Sequence, residues 1–154
     1  MDLAVPNREM RLMKQSIHVE APVEKVFEAF KDPAKFQELM PMRTQIDEVK
    51  ATKEGVGTYA SWHAKLAGLP IRGFDVLTNV VPNEHITERS SHPLVGTWDY
   101  YFEPEGSGTK LTMEHHPESI WRFPPLRNLM DLAVGRMNAS FMPRVKDALE
   151  TQSN

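Results

Sequence analysis

From Pro125 to Glu150 the residues Leu126, Met130, Ala133, Met137, Phe141, Val145 and Ala148 return at steps of three and four. That period draws one continuous apolar stripe along a helix of roughly 35 to 40 Å. Such a stripe must be covered, and an expanse that long calls for a sheet broad enough to cross it. Gly135 and Pro143 lie inside the segment, and Pro143 removes one helical hydrogen bond, which predicts a kink in the last two turns.

The preceding chain supplies the sheet. Thr44 to Thr52, Thr58 to Leu66, Ile71 to Val81, His85 to Ser91, Thr97 to Phe102 and Lys110 to His116 read as successive strands of an antiparallel meander. Between them, Glu54-Gly55, Ala67-Gly68, Pro82-Asn83 and Glu105-Gly106-Ser107-Gly108 carry residues that tolerate positive φ. A further strand comes first, over Arg11 to Ala21, where Met13, Ile17 and Val19 alternate with Lys14, Ser16, His18 and Glu20. Two short helices follow it. Val23, Val26, Phe27 and Phe30 mark one after Ala21-Pro22; Phe36, Leu39 and Met40 mark the other, opened by Asp32-Pro33 as N-cap and first helical residue and stopped by Pro41. The pattern predicts an α+β fold: a seven-stranded bent antiparallel sheet wrapped around a long C-terminal helix, with two short helices after the first strand.

At 154 residues, without repeat or linker, the chain is expected to form one domain with its core between about residues 10 and 150. Net charge −3 gives no phosphate footprint, so nucleic acid is not an expected partner. The absence of cysteine excludes disulfides, zinc thiolates and cysteine nucleophiles, and suits a reducing compartment. Apolar runs are too short for stable membrane insertion, and the N-terminal residues lack the apolar centre of a secretory signal. A cytoplasmic location is the expectation.

Period 2 then selects the residues facing the helix. On the second meander strand these are Ala60, Trp62, Ala64 and Leu66; on the third, Phe74 and Val76; on the fourth, Ile86, Glu88 and Ser90. Trp98, Tyr100 and Phe102, then Leu111, Met113 and His115, complete the inner face, while Ser61, His63, Lys65, Arg72, Asp75 and Glu114 fall outside. Every assignment assumes an unbulged strand, since one extra residue reverses all that follow. Large rings mixed with small alanines either interdigitate fully or leave a lined void. The void is the reading pursued: a ligand site bounded by Trp62, Phe74, Glu88, Trp98, Tyr100, Met113 and His115 on the sheet and by Met130, Ala133 and Met137 on the helix, of roughly 300 to 1,000 Å³. Glu88 and His115 are the titratable members and hence the catalytic candidates, because burial shifts such groups toward useful pKa values. Pro117 to Pro125, holding Trp121 and Phe123 between prolines, is expected to form a lid-like loop that flanks an entrance together with Leu69-Pro70.

Other motifs carry less. His115-His116 are adjacent, so on a strand they point to opposite faces, and no His-x-His or HExxH spacing occurs; no metal is expected. Gly55-x-Gly57 and Gly106-x-Gly108 lack the strand-to-helix setting of a phosphate loop, and no GxSxG is present, so neither a nucleotide cofactor nor a hydrolytic triad is implied.

The sequence Ser16-Ile17-His18-Val19-Glu20-Ala21-Pro22-Val23-Glu24-Lys25-Val26-Phe27 and Asp32-Pro33 resemble the opening of the START-related, birch-pollen-allergen-like superfamily. Gly55-Val56-Gly57-Thr58, Gly96-Thr97-Trp98 and Gly108-Thr109-Lys110-Leu111-Thr112 extend the resemblance to its bacterial polyketide cyclase/dehydrase-like branch, over about residues 10 to 150. The resemblance implies a helix-grip fold with a cavity under the last helix for a lipid, quinone or polyketide-like molecule. A small hydrophobic ligand is thus the expected partner; homodimerisation stays open, and no cofactor is expected. Two other readings stand beside binding: a cyclase or dehydratase using Glu88 or His115 as acid or base, and a protein-interaction module with a filled cavity.

Overall fold

The computed structural model describes residues 13–40, 44–66, 68–91, 94–118 and 124–151. β1 (Met13–Val19) leads into α1 (Val23–Lys31) and α2 (Pro33–Leu39), followed by β2 (Gln45–Lys50), β3 (Tyr59–Leu66), β4 (Leu69–Val81), β5 (His85–Ser90), β6 (Gly96–Glu105), β7 (Gly108–Pro117) and α3 (Pro124–Thr151). All strand pairs are antiparallel, in the order β1-β7-β6-β5-β4-β3-β2. This is the helix-grip α+β architecture. Consecutive strands pair by hairpins whose turns use left-handed backbone where the sequence allows it, as at Gly68 (φ 78°) and Asn83 (φ 61°). β1 alone pairs with a strand far along the chain.

Asp32 caps α2 by accepting the Ala34 N–H at 3.0 Å, and Pro33 follows it with its φ already suited to a helix. α1 buries Val23, Val26, Phe27, Ala29 and Phe30, so its stripe packs on β6: Phe27 meets Phe102 at 5.5 Å between centroids and Phe30 meets Tyr100 at 4.7 Å. α3 is helical through Pro143 and buries Met130, Met137, Asn138, Phe141, Met142, Val145 and Leu149. It is fastened to β1 by Gln15, which donates to the Asn138 carbonyl at 3.2 Å, and by Lys146, which donates to the His18 carbonyl at 2.8 Å.

β4 departs from the sequence expectation. Its register pairs Trp62 with Gly73, Ala60 with Asp75 and Ser61 with Phe74, so Gly73, Asp75 and Leu77 share the inner face while Phe74 and Val76 share the outer. Phe74 is 44% exposed and packs on Tyr59 at 5.4 Å. Thr78 is then an extra residue opposite β5, a bulge that turns Val80 inward beside Ile86. Asp47 is a similar extra residue in β2. Gly73 is required because the Trp62 ring lies over it: a Cβ there would come within 2.8 Å of Trp62 Cζ2.

Candidate functional site

A cavity opens between the inner face of the sheet and the helices. Its sheet wall is Thr58 just before β3, Ala60 and Trp62 from β3, Asp75 and Leu77 from β4, Glu88 and Ser90 from β5, and Trp98 and Tyr100 from β6. Met137, Asn138 and Phe141 of α3 face them, with Phe30 of α1 and Phe36 of α2 alongside. The half-exposed wall residues, among them Pro33, Gln37, Met40 and Ile46, belong to α2, its flanks and β2, which places the open side there. The centre of a water-sized sphere can move through about 80 Å³, and all space between the lining atoms and out through the mouth totals about 890 Å³. The first of these volumes falls below the roughly 300 to 1,000 Å³ expected from the sequence and accommodates several waters or a small ring.

Against this mostly apolar wall stand two carboxyls. Asp75 and Glu88 lie diagonally across β4 and β5, since Asp75 pairs with Ser90 and Leu77 with Glu88. Burial pushes the Asp75 carboxyl up to about 6, even though Ser90 Oγ donates to it and the Trp62 indole draws it back. That indole N–H is close enough to Asp75 to be felt but falls outside hydrogen-bond geometry, so Trp62 Nε1 is buried without a partner. Glu88 is only 7% exposed and makes no hydrogen bond to the described residues; burial first, and the Asp75 charge second, hold its carboxyl well above the usual range. The pair therefore holds a proton to higher pH than free carboxyls do, with Asp75 the more readily ionised member because donors are aimed at it. Tyr100, also raised by burial and then by Glu88, stays a neutral phenol.

His115 occupies a different place. Its ring is stacked on Trp98, and its Nδ1 accepts the Asn138 amide N–H at 2.7 Å, which leaves the proton on a buried, partnerless Nε2. Burial, with a smaller push from His116, lowers its pKa to about 3. It is a neutral strut behind the cavity wall. His116 is exposed on the other face, so the two histidines do not converge, and no cluster suited to a metal ion occurs among the described residues.

The family model for polyketide cyclase / dehydrase and lipid transport matches residues 10–153. The chain belongs to that family. A search of curated proteins finds no match. Among solved structures, this polyketide cyclase/dehydrase and lipid transport family member is similar to the Zhui aromatase/cyclase of a Streptomyces species, with TM-score 0.75 at 17% identity over 94% of this chain and 96% of that one. It is similar also to a Thermus thermophilus protein, with TM-score 0.73 at 17% identity over 94% and 100% of the two chains, and to the Aha1 dimer of Colwellia psychrerythraea, with TM-score 0.59 at 16% identity over 92% and 97%. At these identities the structures share the fold.

Within this family member, the structure brings Trp62, Glu88, Trp98, Tyr100 and Met137 together on the cavity wall. Met113 and Met130 are buried in the adjoining core, and Ala133 packs half-buried against that core; none of the three reaches the wall. Phe74 is displaced to the outer face and Asp75 takes the inner one, the reverse of the sequence expectation. A signal for this was present. Counting outward from the turn at Gly68, Leu66 opposes Leu69, and the same ladder sets Gly73 against Trp62 and Asp75 against Ala60. The ring trio Phe30, Phe36 and Phe141 was also missed on the wall, because its helical stripes read simply as core, and Asn138 was missed because it lies off the apolar stripe of α3. Leu69-Pro70 lies at the tip of the β3–β4 hairpin, away from the cavity wall, and the Trp121–Phe123 stretch of the expected lid lies outside the described residues.

Proposed function

We propose that this chain binds a small, flat, largely apolar molecule in the cavity between sheet and α3. The carrying observation is the cavity itself: aromatic on several sides, open at α2 and β2, and furnished with few polar groups, the arrangement typical of small-molecule sites. Membership of a family described by polyketide cyclase, dehydrase and lipid transport supports the same reading. Trp62 and Trp98 on the wall provide a direct readout. Titration with a panel of hydroxylated aromatic, quinone and fatty compounds should quench or shift tryptophan emission and raise the melting temperature. A panel that changes neither signal, together with native mass spectra free of any co-purifying molecule, overturns the proposal.

A second reading is favoured by the Asp75–Glu88 pair, which holds an acid and a base in one apolar site. On a β-hydroxy ketone, Asp75 would take the α-proton while Glu88 gives its proton to the departing hydroxyl; a C=C bond forms and water leaves. Loss of turnover in both Asp75→Asn and Glu88→Gln, with ligand binding retained, would support it. Turnover that survives both changes would remove it.

A further inference from the structure

We propose that the ligand of this cavity carries a protonated amine, seated against Glu88 and the rings of Trp98 and Tyr100. The proposal rests on the binding reading above and narrows it to one chemical class. Glu88 lies directly opposite Trp98 in the β5–β6 ladder, and Tyr100 follows two residues on along the same face. An ammonium placed there would meet a carboxylate beside two aromatic side chains, a combination that can replace part of its water shell.

The groups facing this point are few. β4 contributes Asp75, β5 contributes Glu88 and β6 contributes the neutral Tyr100. His115 of β7 is screened behind Trp98. Lys31, the one basic residue on the described wall, turns its ammonium to Glu28 at 3.7 Å. Among the described residues, two buried carboxyls thus share a cavity whose one basic side chain is turned to Glu28. Glu88 is more than nine-tenths buried, on the wall, and without a hydrogen bond to the described residues, and the Trp62 N–H beside Asp75 is unpartnered. An arriving cation answers both features. It lets Glu88 ionise, and an ionised Asp75 has donors waiting in Ser90 Oγ and Trp62 Nε1. A carboxylate ligand meets the opposite situation, because it would add a third acid to the pair. Since Glu88 holds its proton in the free protein, amine binding releases that proton, and affinity for the amine rises as pH rises.

Calorimetry with phenethylamine, phenethyl alcohol and phenylacetate tests this on one molecular shape. The amine should bind about tenfold tighter than the alcohol or better, as a charge-assisted contact implies, and phenylacetate should bind weakest. In two buffers of different ionisation enthalpy, the amine titration should reveal a released proton, and its affinity should climb as pH rises above the ordinary carboxylate range while that of the alcohol stays flat. Glu88→Gln should bring the amine down to the alcohol's affinity without weakening the alcohol; Asp75→Asn serves as the second variant should Glu88→Gln fail to fold. Equal or tighter binding of the alcohol or phenylacetate overturns the amine proposal and leaves the binding reading in place, as does an amine preference that survives in the variants. Binding of none of the three, in a protein that also ignores the wider panel, overturns both.

Discussion

The imidazole of His115 lies flat against the indole of Trp98, with ring centroids 3.8 Å apart and planes 12° from parallel. Asn138 of α3 fixes the imidazole from the far side, so a chain of three residues from helix to sheet holds one wall of the cavity at its proper depth. The stack requires a neutral ring, since a charged imidazolium would be buried without a partner for its second proton.

The consequence is a pH dependence of known sign. Between the ordinary histidine value of 6.5 and about 3, the unfolded chain takes a proton that folded His115 refuses, so this contribution to stability is lost as pH falls through that window. At about pH 5 the loss should be about 2 kcal/mol relative to neutral pH. Urea unfolding of the wild type and His115→Gln at both pH values measures it. The advantage of wild type over variant should shrink by about that amount in acid.

Glu88 should behave oppositely. Its folded carboxyl titrates above its unfolded value of 4.5, so the stability it contributes is present in acid and is lost as pH rises through the folded value. Glu88→Gln, which keeps the shape and removes the titration, should therefore gain on wild type as pH increases. The same pair of unfolding curves at acid and alkaline pH reads the difference, and a difference that does not vary with pH would contradict the buried, protonated state.

Met137 faces the cavity from α3. Met137→Trp should place its added volume in the void, changing stability by less than about 1 kcal/mol, whereas a filled core would lose about 1 to 3 kcal/mol by overpacking. Ligand-induced quenching of Trp62 and Trp98 should disappear in this variant.

Gly73→Ala tests the cradle under Trp62. The new methyl would stand 2.8 Å from the indole, so the ring must move, at a cost of about 1 to 3 kcal/mol. Its emission spectrum should shift, and ligand affinity should fall with it.

Phe74→Ala is the contrasting change on the same strand. It removes an outer-face contact with Tyr59 at 5.4 Å, so stability should drop by about 0.5 to 1.5 kcal/mol, the worth of an aromatic pair, with ligand affinity unchanged. Affinity that falls as far as in Gly73→Ala would return Phe74 to the cavity.

That contrast marks where the sequence stops being legible. On β3, β6 and β7 alternation alone identifies the inner residues, because each strand has one mainly apolar or aromatic face, and on β5 Ile86 sets the phase that carries Glu88 and Ser90 inward. On β4 the faces are nearly balanced: Phe74 and Val76 look like core, while the inner residues include a glycine and an acid. The glycine is there for the Trp62 ring, and the acid is there as part of the cavity; both are properties of a neighbour rather than of the strand. The bulge at Thr78 then removes any help from the clearly inward Val80, since its phase no longer extends back to Asp75. Helix length, strand number and the cap at Asp32 come from local rules, and these were readable. His115 was readable as buried, yet its role was not, because the partner that decides it, Asn138, comes from α3.

The pairing of β1 with β7 also sets a timetable. The other strand pairs join neighbours in sequence and can zip as hairpins, but β1 must wait for a partner nearly a hundred positions later, at Val19 with Thr109 and Met13 with His115. Closure at that seam is the slow, entropically costly step of such a topology. α3 rests on β1, so the roof of the cavity can lock only after the seam is made. During refolding, tryptophan burial should therefore recover before ligand capture, with the interval between them recording the meeting of the sheet's first and last strands.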